Sequence, residues 1–457
     1  MNALISTALS GVVLMFVGLF VRNKQHIKFF AIAAIIVAFI ANLVQYPSVE
    51  LGSYTMFGMI EVSRFSVVFN AVALGATLLY FLLSGSEFEK VGDHVADYFA
   101  LIFFILAGIS LASTFSNLLM LFLAIEIMSI PQYVLAGSDR KSLKGNEASL
   151  KYFLMGSFST GILLMGIALI YGAAGTFNIV ELGLGSDSVH PLALCGIILM
   201  AFALAFKVSA VPFHFWTPDV YDGSPTVFTS FMATVVKAGG FIAFMRMFHV
   251  SFAGGAISHH WTLILSIITA ATLLLGNFSA VFQQSVKRML AYSSIAQAGF
   301  MLFAVIALNG MATQGIILYA AAYSIATIGV FAVLLKLKDY TFEGFNGLAR
   351  KQPLLAFAVA VFLFSLAGIP VTAGFFAKYF VLAAAIQHGH LLWLVIVAVL
   401  GAAISVYYYF RVIMAMYFKQ GEPEVENVSG GFKIALILAV VLVLVLGLFP
   451  NILLCWL

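Results

Sequence analysis

Residues 191–216 read PLALCGIILMAFALAFKVSAVPFHFW. No charged side chain interrupts Pro191 to Phe206, so the run reads as a helix in lipid. Lys207 follows, and Pro212 comes five residues later. Proline lacks an amide donor and its ring clashes with the preceding turn, so the helix must break there. Residues 353–388 repeat the layout: an apolar run, Ala367-Gly-Ile-Pro370, Val371-Thr-Ala-Gly374, and then Lys378. Two apolar segments interrupted beside a lysine decide the class. This is an all-α polytopic membrane protein with broken helices.

Composition agrees with that reading. Of 457 residues, 63% are hydrophobic and only 9% are charged, with a mean hydropathy of +1.10. A soluble domain carries about 25% charged residues. Backbone groups in lipid must be satisfied internally, which favours helices. The apolar total suffices for about fourteen helices of about 20 residues. Polar breaks place them near 3–21, 28–47, 65–84, 98–114, 116–137, 147–172, 192–214, 225–249, 261–281, 289–308, 313–336, 353–388, 391–417 and 433–454. The first run has no basic segment before it and ends at Arg22-Asn23-Lys24, so it reads as a span and not as a cleaved signal.

Charge placement predicts the orientation. The loops after odd-numbered spans, with their flanks, hold fifteen basic residues, including Arg22, Lys24, Lys28, Lys90, Arg140, Lys141, Lys144, Lys287, Lys336 and Lys338; the opposite loops hold Arg64 alone. By the positive-inside rule both termini are expected outside. The two interruptions lie five spans apart, so the corresponding helices run in opposite directions. Paired interrupted helices in opposed repeats point to a transporter's central site. The expected units are an N-terminal three-helix addition (1–97), a first repeat of spans 4–8 (98–250), a second repeat of spans 9–13 (251–420) and a C-terminal helix (421–457).

Charge inside the spans is rare. Among the acids Glu126 alone is deep, and Lys207, Lys237 and Lys378 are deep among the bases. Lys151 lies one turn into span six. Intramembrane charge costs about 2.5–3.5 kcal/mol on insertion scales, so such residues mark ion or proton routes. Lysine suits proton transfer because burial favours its neutral form and a nearby carboxylate its charged form. Arginine does not deprotonate and could not serve. Ser209, Thr234, Ser293, Ser294, Gln297, Tyr323, Ser324, Thr327 and Tyr379 are candidates for ordering water between them, and His214 for a relay. Arg246 and Arg411, nearer span ends, are expected to snorkel.

Other chemistries find no support. Cys195 and Cys455 have no metal-ligand spacing, which argues against disulfides, zinc and iron–sulfur centres. No glycine-rich nucleotide loop occurs. The net charge of +4 is scattered over short loops, so nucleic acid is not the expected partner. No catalytic, metal or cofactor-binding residue is expected in this chain.

Several blocks resemble the antiporter-like membrane subunits of respiratory complex I, NADH:quinone oxidoreductase. They are Glu126-Ile-Met-Ser-Ile-Pro131, Lys207 through Asp219, Val220-Tyr-Asp-Gly-Ser-Pro-Thr226, Lys287-Arg-Met-Leu-Ala-Tyr-Ser-Ser-Ile295 and Gly368-Ile-Pro-Val-Thr-Ala-Gly-Phe375. Within that family the chain looks most like the subunit N branch, which includes mitochondrial subunit 2. The largest relative carries a long lateral helix for which 457 residues leave no room. The middle-sized one usually has Glu where Lys378 stands.

The resemblance implies roles. Glu126 matches a glutamate that pairs with the lysine matched by Lys207, Lys237 matches a central lysine, and Lys378 the terminal residue of an outward half-channel. Lys151 matches a further lysine. Gln297 stands where relatives often have His, so a relay there would have to run through water or work differently. The implied function is proton translocation in an inner membrane, without a redox centre in this chain. NADH, FMN, iron–sulfur clusters and quinone would belong to other subunits. The implied partners are a neighbouring antiporter-like subunit, small membrane subunits and lipid. The alternative is a subunit of a multi-subunit cation/proton antiporter.

Overall fold

The computed structural model describes residues 1–21, 23–50, 52–182, 190–252 and 257–457. Arg22, counted above for orientation, lies outside them. The helices are α1 (Asn2–Phe20), α2 (Lys24–Val44), α3 (Arg64–Ser84), α4 (Val95–Thr114), α5 (Leu118–Ala136), α6 (Leu143–Ala174), α7 (Pro191–Lys207) and α8 (Trp216–Gly223). They continue with α9 (Thr226–Ser251), α10 (Ile257–Val281), α11 (Val286–Ala307) and α12 (Gly310–Leu334). The last are α13 (Pro353–Ala367), α14 (Ala373–Gln387), α15 (Leu392–Phe418) and α16 (Gly430–Leu448). A hairpin of β1 (Tyr54–Met56) and β2 (Ile60–Val62), paired antiparallel, precedes α3.

Among the described residues, twelve helices are long and apolar enough to cross a membrane. A thirteenth would be the bent pair Glu343–Lys351 and Pro353–Ala367, which meet at 119°. The expected segments 192–214 and 353–388 are the interrupted ones. Their pieces α7, α13 and α14 have 17, 15 and 15 residues. At about 1.5 Å per residue none reaches across about 30 Å of hydrocarbon. The break between α4 and α5 is confined to Phe115-Ser-Asn117, where the Asn117 side chain accepts the Leu119 N–H and starts α5.

Each interruption has a local cause. α7 ends at Lys207; Ser209 then takes φ 66°, and Val211–Pro212 is a cis peptide bond. α13 ends at Gly368 with φ 88°, a left-handed conformation that favours glycine. The Gly368 N–H donates to the Phe364 and Ser365 carbonyls. Gly374 is required for a different reason: a Cβ there would stand 1.8 Å from the Ser365 carbonyl oxygen. The restart of the helix therefore fits only without a side chain.

Burial sorts the helices into an inner and an outer set. α9, α11 and α12 are almost wholly enclosed, whereas α1, α2 and α6 present Leu9, Phe16, Phe29, Leu154 and Phe158 outward. Those apolar faces suit lipid. α1 packs on α4, and α3 packs on α12, which attaches the N-terminal helices to the body. The order of elements is the same in 95–251 and 257–418: three continuous helices, an interrupted segment and one continuous helix.

One expectation is corrected. Arg246 does not snorkel; it is buried, with its guanidinium 2.7 Å from Glu61 of β2 and its Nε donating to the Phe115 carbonyl at 2.7 Å. The hairpin folds back and supplies the counter-charge. A second enclosed acid lies beyond the end of a span. Glu87, just after α3, is buried against Lys336 and lies 2.7 Å from Lys90.

Candidate functional site

The four deep charges fall on one polar line through the apolar body. Glu126 sits on α5, half-buried, and its Oε1 accepts from Thr160 Oγ1 of α6 at 2.7 Å. One turn later Ser129 accepts from Lys207 Nζ. Lys207 is the last residue of α7, so the break delivers its ammonium to α5. That ammonium lies 5.8 Å above the Tyr133 ring centroid, a favourable cation–π distance. Glu126 and Lys207 are not a direct ion pair: Glu126 is held by Thr160, and Lys207 by Ser129, whose hydroxyl bonds back to the Ile125 carbonyl.

Between Lys207 and Lys237 lies an enclosed cavity of about 10 Å³. Gln132, Tyr152, Trp216 and Tyr221 also line it. Such a space with polar walls holds about one water. The Tyr152 hydroxyl donates to Gln132 Oε1 at 2.5 Å, and Gln132 Nε2 donates to the Met128 carbonyl at 2.6 Å.

Lys237 is the most deeply buried of the lysines, 2% exposed. Its Nζ donates to the Ser294 carbonyl at 3.0 Å and to Ser294 Oγ at 2.9 Å, and lies 5.7 Å above the Tyr221 ring. The turn before it, Met232–Val236, is π-helical. A π turn inserts one extra residue into a helix and changes which face the following residues present, a feature frequent at functional sites.

α11 carries the line onward. Ser293, Ser294 and Gln297 share a face because they are three and four residues apart. Ser293 Oγ and the Tyr409 hydroxyl are 2.5 Å apart. Gln297 Nε2 donates to the Leu366 carbonyl at 2.9 Å and to the Tyr409 hydroxyl at 3.1 Å, while Gln297 Oε1 accepts from Tyr319. Lys378 of α14 reaches the same carbonyl: its Nζ donates to Leu366 O at 2.9 Å and Ala367 O at 2.8 Å. These oxygens are free to accept because α13 stops there. A second cavity of about 10 Å³, lined by Gln297, Tyr319, Tyr323, Ser365 and Lys378, joins the two side chains. The Tyr323 and Thr327 hydroxyls are buried near each other and make no well-aligned hydrogen bond to the protein. Buried unpaired hydroxyls are where water is expected.

The remaining candidates lie elsewhere. Lys151 joins a solvent-facing ionic group, 2.7 Å from Glu147 and 3.0 Å from Asp219. His214 is buried beside Phe215, with Nδ1 unpartnered, in the turn after α7. Ser209 is buried in the same turn. Thr234 bonds back to the Ser230 carbonyl at 2.7 Å within its own helix. Tyr379 is 53% exposed and does not line the cavity beside Lys378. Sequence reasoning passed over Gln132, Tyr152, Tyr221, Tyr319 and Tyr409, because a tyrosine in an apolar run looks like packing until its hydroxyl has a partner.

Outside the membrane, Glu61 shows how a peripheral charge is fixed. Burial opposes its ionisation, but Ser53 and Arg246 outweigh it and hold the carboxyl below the usual range. Among the described residues no group of three or more His, Cys, Asp or Glu could hold a metal ion.

The family described as "NADH:quinone oxidoreductase/Mrp antiporter, TM" matches residues 116–405, which include Glu126 and all three deep lysines. The chain belongs to this family. Within it the subunit N branch fits best. The chain is 38% identical over 460 residues to the NADH-quinone oxidoreductase subunit N of Flavobacterium psychrophilum, covering 99% of each. A chain of respiratory complex I from Thermus thermophilus superposes with a TM-score of 0.86 at 32% identity, covering 99% of this chain and 98% of that one. A chain of the Mrp complex from a Dietzia species shares the fold, with a TM-score of 0.87 at 22% identity over 99% and 95% of the two chains. The branch is that of an antiporter-like membrane subunit of a redox enzyme, and the relatives work in multi-subunit assemblies.

Proposed function

We propose that this chain translocates protons across a bacterial inner membrane as a subunit of an NADH:quinone oxidoreductase. The path runs from Glu126 and Lys207 through Lys237 to Lys378. The observation that carries this reading is the company of the three lysines. Among the described residues their ammonium groups donate hydrogen bonds to a serine hydroxyl or backbone carbonyls and face aromatic rings, with no carboxylate within ion-pair distance. A buried ammonium without a fixed counter-charge can give up its proton when the local field changes.

Electron transfer in partner subunits, which would hold NADH, FMN, iron–sulfur clusters and quinone, supplies that change. Movement of Glu126 away from Lys207 withdraws negative charge from it. Lys207 then releases its proton across the first small cavity toward Lys237. Ser294 and the Gln297–tyrosine cluster link Lys237 to the second cavity and Lys378. Because Gln297 does not titrate, protons pass it through water. Residues 98–250 and 251–420 form two inverted repeats, each ending its path at an interruption, with 1–97 and 421–457 as additions. Both termini face outside, and a neighbouring antiporter-like subunit and small membrane subunits flank the chain.

The family's span over Mrp antiporters and the shared Dietzia fold favour a second reading, a gradient-driven cation/proton antiporter subunit. The higher identity to oxidoreductase chains supports the first. In the assembled complex, Glu126→Gln and Lys237→Ala are expected to lower protons moved per electron while NADH oxidation by the partner subunits continues. Normal pumping in both variants would overturn the path. Sodium-driven proton exchange without NADH would favour the antiporter.

A further inference from the structure

Two separate spaces meet at the eight-residue helix α8. One is a solvent-facing vestibule of about 210 Å³, lined by Glu147, Lys151, Asp219, Asp222, Gly223 and Arg288. The other is the small enclosed cavity shared by Lys207 and Lys237, walled by Tyr221. At 3.6 residues per turn Asp219, Asp222 and Gly223 share one face of α8, and Tyr221 points the other way. This helix stands between the vestibule and the cavity of Lys207 and Lys237.

The two ends of α8 are held differently. Beyond its C-terminal end, Lys287 is buried and donates to the Asp222 carbonyl at 2.9 Å and the Ser224 carbonyl at 2.7 Å. A Cβ at Gly223 would stand 2.6 Å from the Lys144 carbonyl, so that end is pressed against α6. It is a fixed point. The middle of α8 is held by charge at the surface. Asp219 Oδ2 meets Lys151 of α6 at 3.0 Å and Asp219 Oδ1 meets Arg288 of α11 at 3.1 Å, with 40% of the Asp219 side chain exposed. Ion pairs so exposed are weak and reversible. Tyr221 itself is anchored by one long hydrogen bond, 3.3 Å, to the Met232 carbonyl, the first residue of the π turn that precedes Lys237. The Thr217 and Ser224 hydroxyls, on α8 and just beyond it, are buried without a protein partner. Unpaired hydroxyls flanking the helix are what a water passage would use.

We infer that Asp219, bound between Lys151 and Arg288, is the latch of a water inlet to Lys237, and that Tyr221 is its plug. When the latch opens, α8 turns about its Lys287 end, Tyr221 leaves the Met232 carbonyl, and the vestibule joins the Lys207–Lys237 cavity. Lys151 thus acts on the path as a positioning residue and not as a proton carrier. The inference rests on the path proposed above for its purpose, but its geometry can be tested separately.

The probe is a small, charged, membrane-impermeant methanethiosulfonate reagent. It is applied to assembled complex in vesicles, with Cys195 and Cys455 replaced by Ala and Val236→Cys placed on the enclosed cavity. Val236 lines that cavity beside Lys237. Labelling from the face that bears residues 140–144 is expected to be slow in this background. It should accelerate about tenfold with Asp219→Asn, in keeping with loss of two weak ion pairs, and at least as much with Tyr221→Ala. If Asp219→Asn fails to assemble, the double variant Lys151→Gln, Arg288→Gln releases the same latch. Unchanged labelling in the latch and plug variants overturns the inference, and acceleration by Tyr221→Ala alone overturns the latch. Labelling reads water access whether or not Lys237 carries protons. Acceleration combined with normal pumping by Lys237→Ala would therefore sink the proton path while leaving the inlet in place.

Discussion

Five lysines at the edge of this molecule and the three at its centre keep opposite company, whereas Lys287, buried at the edge, is held like the central ones by backbone carbonyls. Lys24, Lys90, Lys151, Lys336 and Lys338 each contact a carboxylate: Asp93, Glu87 with Glu426, Glu147 with Asp219, Glu87, and Glu424. Lys207, Lys237 and Lys378 contact a serine hydroxyl or backbone carbonyls instead. The edge has acids to spare and uses them to tie helices and loops together. The centre leaves its cations without permanent partners, although Lys237 and Lys378 are buried. A locked pair holds its charge fixed, which serves structure. A cation held only by neutral acceptors keeps the freedom to lose its proton, which serves transfer.

The comparison predicts a gradient of effects at the edge. Glu87→Ala should do the most damage, because it strands Lys336, whose side chain is only 9% exposed. Breaking a buried pair from one side costs about 3–5 kcal/mol. The expected outcome is loss of assembled complex on a native gel, with most of it restored in the double variant Glu87→Gln, Lys336→Met. Full assembly of the single variant would show that this pair is not a lock. At the other end, Lys338→Ala removes a pair in which both side chains are 69% exposed. Water and salt screen such a pair, so the thermal midpoint of the complex should not move measurably. A clear drop would blur the line between locked and idle pairs.

Much of the architecture was legible because lipid makes strong demands on sequence. Apolar runs gave the spans, and Pro212, Gly368 and Pro370 marked the interruptions that leave carbonyls free for Lys378. Scarcity of charge singled out Glu126 and the three lysines. What stayed hidden depended on contacts distant in sequence. Arg246 read as snorkelling because Glu61, its partner, is 185 residues away. Glu87 fell between the expected spans 65–84 and 98–114, and its partner Lys336 is 249 residues away. The π turn before Lys237 has no residue signature, since Met232-Ala-Thr-Val-Val236 is ordinary helix sequence. Gln297 was read as a residue that orders water; its bonds to Leu366, Tyr409 and Tyr319 join segments far apart in sequence and have no local signature.

The central claim is that the inner lysines work by releasing protons and not by being positive. Lys237→Arg separates the two, since arginine keeps the charge and does not deprotonate. The measurement is protons moved per electron in vesicles containing the assembled variant complex, with NADH oxidation followed at the same time. The predicted result is a ratio below that of the unmodified complex, as low as with Lys237→Ala. An unchanged ratio with Lys237→Arg would contradict the account, because a fixed positive charge would then suffice at the centre of the path.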